Sequence, residues 1–257
     1  RWLVRVEDID PPREVEGSAS SILRDLQMLG LEYDDPVLYQ SKRLTAYQAT
    51  VHKLLKQGKA FWCGCTRKDL PPSGIYAGTC RNGLPPGKPR RAVRLKVTNK
   101  PIHFSDRIQG DSTEVLSETT GDFIILRADG LPAYQLAVVV DDAFQRITSV
   151  VRGMDLHSST ARQIYLQQQL DVPSPAYAHH PLAIHGGGQK LGKRFGSVSV
   201  SGIDTRVALF SALSFLGQSP PGDLSARELL AWAKSNWNIS NIPSIAEIEA
   251  PLVFQPH

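Results

Sequence analysis

The chain has 257 residues, 41% of them hydrophobic, enough to bury a sizeable core in one large or two smaller domains. Lys and Arg outnumber Asp and Glu by 29 to 25, and a net charge of +4 permits a polyanionic partner without requiring one. No run reaches the length of a membrane span and none reads as a secretory signal, so no membrane association and a cytoplasmic location are expected.

Arg1-Trp2-Leu3-Val4-Arg5-Val6 alternates like a strand already under way, without an initiator Met, and a preceding segment is expected. Glu7-Asp8-Ile9-Asp10-Pro11-Pro12-Arg13 is the loop at its carboxyl end, the edge where open α/β sheets hold ligands. Asp10 before Pro11 suits a plain turn, whereas Glu7 leaves the strand directly and is the better ligand candidate. Ile22, Leu23, Leu26 and Leu29 repeat at helical spacing up to Gly30. Leu44, Tyr47, Val51, Leu54 and Leu55 do the same up to Gly58, so two helices follow the strand.

Residues 61–82 shift toward Gly, Pro and Cys. Cys63-x-Cys65 with Cys80 fifteen residues later suits zinc, because two thiolates chelate from one tight turn and a third closes the loop. An odd number of clustered cysteines also fits a metal site better than a disulfide framework. Tyr76 is a candidate fourth ligand as phenolate, with His52, His103 or a water as alternatives. The stretch 84–91 is rich in Pro and cations and reads as a linker. Short strands at 92–97, 102–109 and 121–127 complete a small module around the cysteines.

Ala128-Asp129-Gly130 is a turn, and the nearly unbroken apolar run at 132–142 predicts a strand buried on both faces, as in a parallel α/β sheet. A strand at 147–151 exits at Arg152-Gly153. A helix follows at 158–170, and a strand at 178–184 empties into Gly186-Gly187-Gly188-Gln189-Lys190-Leu191-Gly192-Lys193-Arg194. Such a glycine-rich cationic loop suits a polyphosphate, since backbone N–H groups can approach the anion and the cations offset its charge. The sixty residues after Ser197 read as helical, with a capping box at Ser225-x-x-Glu228.

Gly187-x-x-x-x-Gly192-Lys193 also matches most of a P-loop, with Asp141 after an apolar run as the magnesium residue. Arg194, however, stands where that motif needs a hydroxyl, and the chain that follows is too short for the usual sheet. Taken together, Arg5 to Arg13, Tyr134 to Asp142, Val151-Arg152-Gly153-Met154-Asp155-Leu156, His180-Pro181-Leu182 and the Lys-rich loop resemble, in order, the class I aminoacyl-tRNA synthetases that activate glutamate. The resemblance implies an α/β, Rossmann-like catalytic domain with a small zinc-binding insert and a short helical C-terminal part.

It divides the chain into 1–60 and 121–185 as two parts of the catalytic domain, 61–120 as the insert, and 186–257 as the Lys-rich loop and helical tail. It further implies that Glu7 meets the α-amino group of L-glutamate and that Tyr134 and Arg152 contact the same amino acid. Lys193 would be catalytic at the α-phosphate, Lys193 and Lys190 would bind ATP with Mg2+, and Cys63, Cys65, Tyr76 and Cys80 would hold Zn2+. The short tail is similar to that of family members lacking an anticodon-binding domain, which implies a monomer that transfers glutamate to the queuosine nucleoside in the anticodon arm of tRNA(Asp). A truncated conventional glutamyl-tRNA synthetase and a zinc-containing RNA-binding module without activation chemistry are the alternatives. Two departures stand out: the His-x-Gly-His-like nucleotide signature is missing ahead of Arg1, and Gly192 replaces the usual Ser. His179 and His180 read either as neighbours of the nucleotide or as hydrogen-bonded core histidines, and Asp8 and Asp142 as caps.

Overall fold

The computed structural model describes residues 1–10, 14–186, 188–192 and 198–255. Strand β1 (Arg5–Val6) leads to helix α1 (Ser18–Met28) and returns to β2 (Leu38–Tyr39), which pairs parallel to β1 with Arg5 opposite Leu38. A 3-10 turn at Gln40–Arg43 feeds α2 (Leu44–Lys56). Both helices stop where the periodicity does, at Gly30 and Gly58, whose φ angles of 72° and 67° a side chain would strain.

Next come β3 (Ala60–Cys63), β4 (Ala92–Leu95), β5 (Ile102–Asp106), β6 (Gly110–Glu114), the single turn α3 (Leu116–Thr119) and β7 (Ile124–Leu126). Strands β3, β4 and β7 form an antiparallel sheet in that order. The expected turn is present at Gly130, where Arg127 N–H reaches Leu131 O. The run that follows is not a strand. It is helix α4 (Tyr134–Gln145), with Ala133 extended at its start and Arg146 left-handed at its end. A continuous apolar run fits a helix buried on most sides as well as a two-faced strand. Here α4 lies among α2, β7 and a later helix, and buries Gln135 through Val139 together with Asp141 and Asp142.

The chain continues through β8 (Ser149–Gly153), a 3-10 segment at Met154–Ser159, α5 (Thr160–Leu170), β9 (Ala176–His180), β10 (Leu182–His185) and β11 (Gln189–Lys190). Pro181, with no N–H to give a ladder, splits the single strand expected at 178–184. As a result β9 joins a mixed sheet ordered β6-β5-β9-β8, parallel to both β5 and β8, while β10 starts another. The tail is α6 (Thr205–Phe215), α7 (Ala226–Asn236) and β12 (Glu247–Glu249), which pairs parallel to β10.

The main core lies between α2, α4, α5 and the sheets, around Tyr47, Leu54, Leu95, Ile125, Leu136 and Leu166. A second core forms where α6 meets α7 at Leu209, Leu213 and Leu229. The capping box of α7 is formed in both directions: Ser225 Oγ accepts from Glu228 N–H, and the Glu228 carboxylate accepts from Ser225 N–H at 2.8 Å. Ser225→Ala is expected to cost about 1 kcal/mol. It should lower the thermal midpoint by about 2–4 °C, and an unchanged midpoint would show that the cap contributes nothing. Among the described residues no helix is long and apolar enough to cross a membrane.

Candidate active site and cysteine cluster

The carboxyl end of β1 and the first turn of α4 bound a cleft of about 490 Å³, lined by Glu7, Asp8, Asp10, Gln40, Arg127 and Tyr134 among others. Asp8 accepts from both N–H and Oγ of Ser41, which fixes the 3-10 turn beside the cleft. Tyr134, first residue of α4, is 37% exposed. The helix thus does for Tyr134 what a strand was expected to do, since the first helical turn points its side chain out of the core.

Charge is concentrated here. Arg5 reaches Glu7 at 3.4 Å and Asp142 at 2.8 Å, and also donates to Gln145. Burial raises the pKa of Glu7 first, and Asp142 and Asp141 add to the rise against the pull of Arg5. Asp142 is raised likewise by burial and by Asp141, against Arg5 and Arg152. A pocket whose carboxylates are harder to ionise than usual gains from a bound cation. Tyr134 is raised chiefly by burial and lies within the fields of Arg152, Glu7 and Asp142. Glu7, Tyr134 and Arg152 therefore share one electrostatic neighbourhood, which Asp142 also enters.

Arg152, at the end of β8, is tightly held. Its Nε donates to His179 Nε2 at 2.9 Å, Nη1 to Gln163 Oε1 at 2.7 Å, and Nη2 to Thr160 Oγ1 at 2.8 Å and Leu156 O at 3.2 Å. The guanidinium also lies 5.4 Å from the centre of the Tyr177 ring. His179 is a buried, hydrogen-bonded core histidine, with Nδ1 2.5 Å from Asp106 Oδ2. His180 instead donates from Nδ1 to the neighbouring Pro181 O.

Asp141 is not available to a magnesium ion: it is fully buried and accepts from Gln40, Arg43 and Tyr47 at 2.7–2.9 Å. Lys190, in β11, pairs with Asp155 just beyond β8. Lys193 and Arg194 lie outside the described residues, as does Gly187. Among the described residues, a Cβ at Gly192 would meet nothing nearer than Lys190 O at 4.0 Å.

Sequence reasoning missed Arg5, Gln163 and Asp106. Arg5 carried a usable signal, because residues two apart on a strand share a face and Arg5 sits two before Glu7. Gln163 sits one turn from Gln167 on a helix face otherwise used for burial, and both are buried.

The thiol sulfurs of Cys63, Cys65 and Cys80 lie within 4.8 Å of one another and are not bridged. Cys65 and Cys80 are 3.6 Å apart at sulfur, close to the spacing of about 3.8 Å between thiolates on one tetrahedral zinc ion. The Tyr76 hydroxyl stands 3.5 Å from Cys63 Sγ and accepts Cys80 N–H at 2.7 Å. Neither His52 nor His103 joins the group, and His103 is bonded to Thr113 on β6. Burial works to raise the pKa of Cys63, but hydrogen bonds from Tyr76, Cys65 N–H and Arg94 outweigh it and lower the thiol. Burial and the neighbouring thiols push Cys65 up to about 11. A divalent cation would offset the crowding that raises Cys65 and would take the thiolate of Cys63, which its hydrogen bonds favour. The donor set fits zinc.

The chain matches the family described as tRNA synthetases class I (E and Q), catalytic domain, over residues 1–72 and 80–242. Proteins named Glutamyl-Q tRNA(Asp) synthetase are similar to it along nearly its whole length. That of Aromatoleum aromaticum is 45% identical over 99% of this chain and 84% of its own, and that of Thiobacillus denitrificans 48% identical over 98% and 87%. Among solved structures, a glutamate-tRNA synthetase from Elizabethkingia anophelis superposes with a TM-score of 0.77 at 22% identity, over 95% of this chain and 60% of that one. A glutamate tRNA ligase from Elizabethkingia meningosepticum gives 0.76 at 22%, over 95% and 59%. The chain thus spans about 60% of those longer proteins, and they bear on its fold alone. By sequence, the chain belongs to the class I glutamate and glutamine tRNA synthetases and, within them, to the glutamyl-Q tRNA(Asp) synthetases.

Proposed function

We propose that the protein, acting as a monomer, activates L-glutamate with ATP and transfers it to the queuosine nucleoside in the anticodon arm of tRNA(Asp). The observation that carries this reading is the shared neighbourhood of Glu7, Tyr134 and Arg152, in which a cation-seeking carboxylate and an anchored guanidinium suit the two kinds of charge on an amino acid. The names of its relatives support it.

In this reading Glu7 takes the α-ammonium of glutamate, Tyr134 orients the amino acid, and Arg152 binds a carboxylate through the donor capacity its protein partners leave. The glutamate α-carboxylate oxygen attacks the α-phosphorus of ATP, the bond to pyrophosphate breaks, and a mixed anhydride with AMP forms. Mg2+ accompanies ATP as in other class I synthetases. Lys193, helped by Lys190 once it exchanges Asp155 for phosphate, offsets the charge that develops on the transferring group. A hydroxyl of the acceptor nucleoside then attacks the glutamyl carbonyl, loses its proton, and AMP departs. Zinc, held by Cys63, Cys65, Cys80 and Tyr76, would tie β3 to the 76–80 turn.

Near that turn stand Arg81, Lys88, Arg90 and Arg91, and the RNA would meet them together with Lys193. Arg81 is engaged with Asp122, Lys88 with Asp69, and Arg90 with the Trp62 ring. Phosphate contacts there would make binding fall steeply with salt. The test is labelling with radioactive glutamate, ATP and the full-length protein, using tRNA(Asp) and tRNA(Glu) from cells with and without queuosine. Label is expected only on queuosine-bearing tRNA(Asp). Label on tRNA(Glu), or on tRNA(Asp) regardless of the modification, would establish conventional synthetase activity instead. Absence of both labelling and pyrophosphate exchange would leave an RNA-binding module.

A further inference from the structure

Arg152 is gripped by a side chain that has no assigned part in the reaction. His179 is fully buried, and its two ring nitrogens face groups of opposite kind. Nε2 receives Arg152 Nε–H at 2.9 Å, so a proton on Nε2 would set one donor against another. Nδ1 faces the Asp106 carboxylate at 2.5 Å and must carry the proton. Asp106 is itself fixed: its other oxygen accepts the N–H groups of Ile108, Gln109 and His179 at 2.9–3.1 Å. Although burial alone would raise Asp106, these bonds and His179 lower its pKa and keep it ionised.

The remaining groups around the imidazole agree with a neutral ring. His157 packs edge-on with ring centres 4.9 Å away, Tyr177 stacks at 6.3 Å, and Thr160 Oγ1 lies 3.3 Å from Nε2. Burial first, with Arg152 and His157, outweighs Asp106 and lowers the pKa of His179. The neutral tautomer with hydrogen on Nδ1 is thus the one this pocket selects.

We propose that His179 is a positioning residue: oriented by Asp106, it presents Nε2 as the acceptor that sets the plane of the Arg152 guanidinium before glutamate binds. The proposal rests on the reading that Arg152 binds glutamate. A flexible guanidinium ordered in advance loses less freedom on binding, and with four of its five N–H groups engaged by the protein the plane of the fork decides where the remaining Nη1–H meets a carboxylate. Gln163 is the second arm of the same clamp. It is 1% exposed, its Oε1 takes Nη1, and its Nε2 is buried with no hydrogen-bond partner among the described residues, while the amide lies close enough to Tyr134 to oppose part of the rise that burial gives that hydroxyl's pKa. The clamp therefore reaches from the Arg152 fork toward the tyrosine of the cleft.

The experiment compares His179→Gln and His179→Asn in the full-length protein by glutamate-dependent pyrophosphate exchange, beside Arg152→Ala. A glutamine amide falls near the position of Nε2 and can offer Arg152 an acceptor, whereas an asparagine amide falls near Nδ1 and satisfies only Asp106. His179→Asn is expected to raise the KM for glutamate about tenfold or more, with the KM for ATP nearly unchanged, and His179→Gln to recover to within about threefold of the parent. Equal KM values in the two variants, or a fall in kcat alone, would overturn the proposal, since a merely structural role lowers the folded fraction without separating the two amides. If Arg152→Ala leaves the KM for glutamate unchanged, the reading of Arg152 fails instead. Should either histidine variant fail to fold, nitrogen NMR of labelled histidine in the parent protein decides. Hydrogen on Nδ1 with bare Nε2 is expected at neutral pH, and the opposite tautomer would overturn the proposal.

Discussion

Arg152→Ala is expected to weaken glutamate use by about 2–5 kcal/mol, the cost of removing one member of a desolvated charge pair, while ATP use changes far less. The protein partners of Arg152 make the alanine variant ambiguous by itself, because its loss removes the donor to Gln163 Oε1 and leaves His179 Nε2 and Thr160 Oγ1 with only each other, 3.3 Å apart, in a buried setting. Arg152→Lys resolves the ambiguity, since it keeps the charge but cannot fork, and should remain defective in the KM for glutamate. Glu7 should behave differently. Its carboxyl has a folded pKa raised by burial and by Asp142 and Asp141, so its ionised form is a burden on the free protein above that pKa. A raised carboxyl pKa means that the unfolded chain ionises first and that stability falls as pH rises through the window above the ordinary value. Glu7→Gln is accordingly expected to raise the thermal midpoint of the free protein slightly at neutral pH and to raise the KM for glutamate sharply. In the parent, the KM for glutamate should climb as pH falls through the raised pKa of Glu7 and the ammonium loses its partner. Initial rates of pyrophosphate exchange with glutamate and ATP varied separately check all of this. An unchanged KM for glutamate in both Arg152→Ala and Glu7→Ala would remove these residues from the site.

What the sequence disclosed depended on whether the signal was local. The ends of α1 and α2 were readable because a left-handed glycine ends each helix, and α7 because its capping box is a four-residue pattern. The helix α4 was not readable as one, because an apolar run such as Leu136 to Val140 satisfies a buried strand and a buried helix equally, and only its neighbours α2, α5 and β7 decide. Tyr134 nonetheless lines the cleft, because it is the first residue of α4. The cysteine group was legible from spacing, and the Tyr76 hydroxyl lies against it. Arg152 was visible as a cation at a strand exit, but its clamp was not. Asp106 stands 73 positions before His179, and nothing in either local stretch points to the other. Long-range hydrogen bonds of this kind carry no periodicity, which is why Asp106 and Gln163 were missed.

Removal of the Cys80 thiol is the second large effect. Cys80 and Cys63 are fully buried, and Cys65 faces Cys80 at 3.6 Å, so three thiols share a small cluster with Phe61, Tyr76, Leu70 and Leu84. In this setting the metal, not hydrophobic burial, would hold the turn. The zinc reading predicts about one equivalent of zinc in freshly purified, reduced protein, and Cys80→Ser should lose it. Metal loss places a substitution in the rare class that costs about 4 kcal/mol or more. For a chain of this size that corresponds to a fall of about 10 °C in the thermal midpoint. Tyr76→Phe should be milder. The ring would keep its stacking on Phe61 and its contact with the Arg94 guanidinium, 3.9 Å from its centre. The backbone of Tyr76 would stay pressed against Gly121, where an added Cβ would come within 2.5 Å of Tyr76 O. Only the hydroxyl would go, costing the bond from Cys80 N–H, about 1–2 kcal/mol. A water can take the vacated place on zinc, whereas it replaces a thiolate poorly. Zinc content and thermal midpoint, each measured with and without a chelator, separate the two variants. Less than about half an equivalent of zinc in the parent, with a midpoint indifferent to chelation, would show three reduced thiols packed in a core and no metal site.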